Sequence, residues 1–206
     1  METMKVKITF TEPVLGTWPS NPKIAEDFIA SKAPDAATME DEIKALGLEE
    51  VQNKAMTVFP RDEKGNPVFY DYQIKGFFKD ACGVLSRVKG KGSEGTGATQ
   101  SSKLKAYKKI IDGLIFPAPR QIPVTVNGEI GGCQRPLRAQ TMQGERVSLA
   151  NSEEIPAGSS ITLEITLLDP ALYGVVLEWL DYGRLRGLGQ WRNSGKGRFT
   201  YELLDD

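Results

Sequence analysis

Two stretches at opposite ends of the chain alternate strictly between apolar and polar residues, and they constrain the fold more than anything else in the sequence. Lys5 to Thr11 reads KVKITFT, with Val6, Ile8 and Phe10 on one side. Ser159 to Leu168 reads SSITLEITLL, and Arg198 to Leu203 repeats the pattern more briefly. A period of two places one apolar face on a pleated strand, and that face has to be covered by another layer. The cover is legible between the last two strands. Pro170 to Tyr182 carries Leu172, Val175, Val176, Trp179 and Leu180 at helical spacing.

A second helix is predicted from Ile74 to Arg87, entered through Gly76, with Phe77, Phe78, Ala81, Val84 and Leu85 inward. Leu114 to Phe116 supplies a further strand. The resulting order is β-α-β-β-α-β, which predicts an α+β, ferredoxin-like (RRM-like) core. Its central strands include Lys5–Phe10, Ile161–Leu168 and Arg198–Leu203. The 206 residues are read as one domain, 1–206, with helical and β insertions at about 12–72 and 88–158. The first insertion holds a helix capped by Asn21-Pro22, an acidic helix from Ala36 to Leu46, and a hairpin around Asp62 to Pro67. The second begins with Val88 to Ser102, rich in glycine and hydroxyl residues and predicted to be mobile. A short basic helix, Leu104 to Ile111, follows. Gln121 to Leu149 then alternates in short pieces, predicting a small antiparallel unit.

Charge and composition exclude several chemistries. Twenty-six Lys and Arg against 27 Asp and Glu give a net charge of −1, so total charge makes no case for nucleic acid. Local charge does. Ile74 to Lys109 holds nine Lys/Arg against two acids, and Tyr182 to Arg198 holds five with none. The chain has no histidine, which removes the usual general acid/base and the commonest metal ligand. The expectation is therefore no cofactor, no metal and no histidine-dependent catalysis. Cys82 and Cys133 have no metal-binding spacing and read as plain thiols. No signal peptide or membrane-spanning apolar run is evident, which predicts a cytoplasmic protein with no membrane partner.

The strongest chemical signal is the segment from Gly183 to Phe199, GRLRGLGQWRNSGKGRF. Five glycines fall within fifteen residues, between a helix and a strand. Such a loop lets the backbone take positive φ and lets another chain approach closely. Its amides can form an anion nest. Arg186, Arg192, Lys196 and Arg198 supply cationic groups, and Trp191 a stacking surface, among Gly187, Gly189, Gly195 and Gly197. Phosphate plus base is the ligand type this combination suits. The P-loop arrangement is excluded, because here the helix precedes the loop and the strand follows it.

Hydrophobic-Gly-x-Gly, a basic spacer, then Gly-x-Gly-Arg-hydrophobic resembles the C-terminal signature loop of the RAMP superfamily of CRISPR-associated proteins. Tyr72 to Ala81, YQIKGFFKDA, resembles that family's I-x-G-S-x-x-K-G-A segment at the first core helix. Phe77 departs from it where the family has a small hydroxyl residue. The resemblance implies an RRM-like fold and guide-RNA binding, often as a filament subunit. It implies RNA contacts from Lys75 and Lys79 and from the glycine-rich loop. The family's RNA-processing branch relies on a histidine, absent here. Its target-cleaving branch uses an aspartate in the first half of the chain. Asp35, Asp62 and Asp71 are present there, and no motif selects one.

Two functions follow as expectations. The first is a non-catalytic RNA-binding protein, stand-alone or a ribonucleoprotein subunit, with single-stranded or guide RNA and other protein subunits or its own copies as partners. The second is a phage or mobile-element protein that binds a CRISPR effector or another host protein as an anti-CRISPR-like mimic.

Overall fold

The computed structural model describes residues 1–20, 56–88, 99–141 and 144–205. The two helices expected in the first insertion, Asp35, and residues 89–98 of the expected mobile loop lie outside these. Among the described residues the fold is α+β, with two sheets and three α-helices.

The main sheet is built on β1 (Glu2–Phe10), which is antiparallel to β10 (Ser160–Leu167) on one side and to β11 (Phe199–Leu204) on the other. The three stretches singled out by alternation therefore pair with one another. β10 continues to β6 (Ile115–Ala118) and β7 (Gln121–Thr125), and β7 to β5 (Val68–Tyr70), all antiparallel. A second sheet joins β2 (Val14–Leu15), β3 (Trp18–Pro19) and β4 (Thr57–Val58) to a long hairpin of β8 (Gly131–Thr141) and β9 (Gly144–Ile155). That hairpin is one continuous ladder from Gly131↔Glu154 to Thr141↔Gly144, not the short pieces expected from the sequence. Glycine and Pro136 punctuate the pattern without ending the pairing.

Helices α1 (Asp71–Leu85) and α3 (Tyr173–Tyr182) cover one face of the main sheet. Met4, Val6, Ile8 and Phe10 of β1 meet Ile161, Leu163, Ile165 and Leu167 of β10 in one core with Phe78, Trp179 and Phe199. The opposite face is polar, with Thr162 and Glu164 exposed. Helix α1 begins at Asp71, three residues before its apolar pattern does. The Tyr70 amide donates to Gln73 Oε1 at 2.7 Å, and the Asp71 carboxylate lies in the first turn, where it favours the helix dipole. Val84, expected inward, is exposed, while Ile74 and Cys82 are buried. Burial pushes the Cys82 thiol up. Helix α2 (Tyr107–Leu114) starts and ends three residues later than its sequence pattern suggested.

Residues 99–102, read as part of the mobile loop, are anchored. Ser101 is fully buried; its amide and hydroxyl both donate to Glu178 Oε2, and its Oγ accepts from Trp179 Nε1 at 2.9 Å. The Thr99 hydroxyl donates to the Leu85 carbonyl. No helix among the described residues is long and apolar enough to cross a membrane.

Trp179 is the largest fully buried side chain and ties α3 to Ser101. Trp179→Ala is expected to lower the unfolding free energy by about 3–5 kcal/mol, measured by urea denaturation.

Candidate functional site

The glycine-rich loop folds back on itself. Gly187, Gly189, Gly195 and Gly197 all take positive φ. A Cβ on Gly187 would lie 2.4 Å from the Gly197 carbonyl, and one on Gly197 only 1.8 Å from the Leu188 oxygen. The two arms of the loop thus cross in backbone contact, closed by Leu188 N–H donating to Gly197 O at 2.9 Å. The crossing is fastened to the end of β1: Gly197 N–H donates to Pro13 O, and Thr11 N–H to Arg198 O. A Cβ on Gly183 would strike the buried Phe199 ring at 2.2 Å. Gly183, Gly187, Gly189 and Gly197 serve close packing, and the loop amides of Leu188, Ser194, Gly195, Gly197 and Phe199 donate to protein carbonyls.

The predicted cations are distributed unevenly. Arg186 Nε and Arg192 Nη1 converge on a single carboxylate oxygen, Asp80 Oδ2 of α1, at 2.9 and 3.0 Å. That hydrogen bond raises the Arg186 guanidinium above its ordinary value. Lys196 pairs with Glu154 of β9 at 2.7 Å. Lys79 pairs with Asp112 at 2.6 Å, while Lys75 donates to the Asp112 carbonyl and lies over the Phe116 ring. Lys75 and Lys79 therefore sit together at the α1–α2 contact, apart from the loop's own ion pairs. Arg198 Nε is buried with no hydrogen-bond partner.

Trp191 is 43% exposed and takes φ 53°, a left-handed conformation rarely adopted by a bulky residue. The Arg135 guanidinium lies over its ring, 5.3 Å from the centroid. Arg135 is buried, and it donates to Gln190 Oε1 at 2.8 Å and to Ser152 Oγ at 3.2 Å. Gln190 in turn donates to the Gly16 carbonyl. The second sheet thus props up the loop from behind, through Arg135 of β8.

A cleft of ≈ 370 Å³ lies where the loop meets α1. One wall is Thr17 and Trp18, another Tyr72, Gln73 and Gly76, and the loop contributes Leu188, Gly189 and Arg192. A second hollow on the far side of Gly189 and Arg192 is lined by Trp191 and Asn193. Trp18, Tyr70 and Tyr72 form an aromatic row, with Tyr70 and Tyr72 stacked at 5.4 Å and 14°. This row leaves no mark in the sequence pattern, because its members come from two segments that only the fold brings together. Phe77, the departure from the family pattern, packs on Phe199 with ring centroids 5.3 Å apart.

Neither of the described aspartates considered for catalysis lines the cleft. Asp62 caps its own turn, accepting from Lys64 and Asn66, and the Asn66 contacts hold its carboxyl below the usual value. Asp71 heads α1 and pairs with Arg120. Among the described residues no three His, Cys, Asp or Glu side chains are grouped as metal ligands.

No protein-family model matches the chain, and no curated protein matches it in sequence. Among solved structures it is similar to a chain of the cryo-EM structure of the Type III-B Cmr-beta bound to cognate target RNA. The identity is 11% and the TM-score 0.49, over 99% of this chain and 60% of that one. It is also similar to a chain of a Type IV-B CRISPR complex, at 10% identity and a TM-score of 0.47, over 98% and 90%. The chain thus spans 60% of the length of the first of these.

The loop geometry separates its glycines energetically. Gly197→Ala is expected to cost more than about 2 kcal/mol, combining left-handed strain with the clash at Leu188. Gly195→Ala, whose new Cβ would meet only the Arg198 side chain at 3.4 Å, is expected to cost about 1–2 kcal/mol. Paired denaturation curves measure both. Gly76 is different: it lies mid-helix, exposed, with nothing within 4 Å of a Cβ. Gly76→Ala is expected to stabilise the fold by about 0.5–1 kcal/mol in the same assay.

Proposed function

We propose that this chain binds single-stranded RNA, without cleaving it, across the cleft between α1 and the glycine-rich loop, as a RAMP-like component of a CRISPR-type ribonucleoprotein. One observation carries the reading. The two segments that resemble the RAMP family, 72–81 and 183–199, lie far apart in sequence yet build one site. They share the Asp80–Arg186–Arg192 cluster and face each other across the cleft.

The chemistry of that site suits RNA. Two guanidiniums on one carboxylate leave a net positive group at the mouth of an aromatic-lined cleft, and each guanidinium keeps further N–H donors. Trp191 has Arg135 behind one part of its ring and remains 43% exposed. An exposed aromatic held in a left-handed conformation is locally strained, and such strained residues cluster at ligand-binding sites. Lys196, held by Glu154, acts as a strut of the loop.

A ferredoxin-like core is part of the same proposal. It is supported by the antiparallel order β11-β1-β10-β6, with α1 and α3 in the two crossovers. In this reading β5 and β7 extend the sheet, and the second sheet is an insertion.

Filter binding of the purified chain to single-stranded RNA at several salt concentrations tests the function. Arg192→Ala is expected to weaken binding to all RNAs alike and to flatten the log K against log salt slope by roughly 0.7. Lys196→Ala is expected to change that slope less. Trp191→Ala is expected to cost about 1–3 kcal/mol with the slope unchanged. The RNA should be recovered intact, and cleaved RNA would refute the non-catalytic part. Absence of RNA binding by the native chain would sink the proposal.

A further inference from the structure

We infer that the cleft in front of Gly76 seats a nucleobase of the bound RNA, stacked against Trp18 and Tyr72, and accepts it whatever its identity. This rests on the RNA-binding function proposed above and adds where a base sits and how little of it is read.

Gly76 is the starting observation. A glycine inside an exposed helical turn weakens the helix, and the usual reason for keeping one is a close neighbour that leaves no room for a side chain. Here that reason is absent within the chain, since a Cβ would meet nothing within 4 Å. The open space belongs to the cleft. Any side chain at position 76 would project into it, so the glycine keeps the cleft clear rather than relieving a clash.

The walls define what fits. Trp18 and Tyr72 offer aromatic faces, and Tyr72 is 48% exposed while stacked on Tyr70 behind it. A flat, apolar-faced group has surface to lie on, and stacking on such surfaces is tolerant of base identity because every base has a π-face. Arg192 stands at the same cleft, so a phosphate attached to the seated group would have its counter-charge beside it. That combination selects a nucleotide within a strand over a neutral aromatic ligand.

The polar group best placed to read a base edge is already engaged. Gln73 Oε1 accepts from the Tyr70 amide at 2.7 Å, and Gln73 Nε2 donates to Thr17 Oγ1 at 2.8 Å. Its amide holds the start of α1 to the β2–β3 connection. Reading a base would require breaking the helix cap, so discrimination among bases is expected to be slight.

The test uses the full chain, the Gly76→Leu and Tyr72→Leu variants, and three probes: oligo(U), oligo(A) and an oligoribonucleotide with abasic positions. The native chain should bind oligo(U) and oligo(A) within a few-fold of each other, and the abasic probe about tenfold or more weaker, the size of a lost stacking contact. Gly76→Leu should bind the base-bearing probes as weakly as the abasic one, with an unchanged salt slope and an unfolding midpoint no lower than native. Tyr72→Leu, which alters a half-exposed side chain, should move in the same direction and carries the test if Gly76→Leu folds poorly. Native affinity in both variants, with Arg192→Ala still impaired, overturns the base seat while leaving RNA binding intact. A preference of more than about tenfold between oligo(U) and oligo(A) overturns the indifference to base identity. If the native chain binds none of the probes, the base seat and the RNA-binding function fall together.

Discussion

The rest of the site depends on the backbone crossing of Gly187 and Gly197. No side chain fits between these arms: a methyl group on Gly197 would overlap the Leu188 oxygen. Because the arms touch, Leu188 is pressed into the core, 3% exposed, and Gly189 comes against Leu15 and Val14 of β2. Every functional group of the loop then has a fixed origin. Arg192 and Trp191 project from a knot tied to the sheet rather than from a free tether, which limits the entropy lost when they engage a ligand.

Asp80 is the electrostatic counterpart of that crossing. A single carboxylate oxygen receives both Arg186 and Arg192, so α1 and the loop are held in register by charge as well as by packing. Two guanidiniums confined near each other repel, and the shared carboxylate offsets that cost while leaving the cluster positive. The arrangement places positive charge locally on a chain whose total is −1, so the field at the cleft is set by arrangement and not by composition.

Much of the scaffold was legible because strand alternation is a local signal. Val6, Ile8 and Phe10 announced β1, and Val175, Val176, Trp179 and Leu180 announced the inner face of α3. The start of α1 was missed because Asp71 and Gln73 are polar: their contribution is a cap and a dipole contact, which an apolar pattern does not register. Asn127-Gly128 and Gly144 divide the pattern of 121–149 into pieces, but Gly144 opens β9 and the ladder runs on through Gly132 and Pro136. At the site, the glycine spacing and the cationic character of the loop could be read directly. Their partners could not. Asp80 is 106 positions from Arg186, and Trp18 reaches the Tyr70–Tyr72 pair only through tertiary folding. Charge pairing across such separations decides which cations are neutralised, and the sequence lists the charges without their distances.

The pairing of β1 has a consequence for how the chain comes together. Its partners on the two sides are β10 and β11, so Glu2 meets Leu167 and Phe10 meets Phe199. During synthesis β1 emerges more than 150 residues ahead of the residues it pairs with. Until those emerge Val6, Ile8 and Phe10 form an unpaired apolar ribbon, and closing the sheet means closing a loop of more than 150 residues. Contacts of such separation slow folding and leave nascent strand edges open to other chains. A growing polypeptide of this design keeps both edges of β1 open until Ser160–Leu167 has emerged, and the knot that shapes the cleft delivers β11 to the edge that is left.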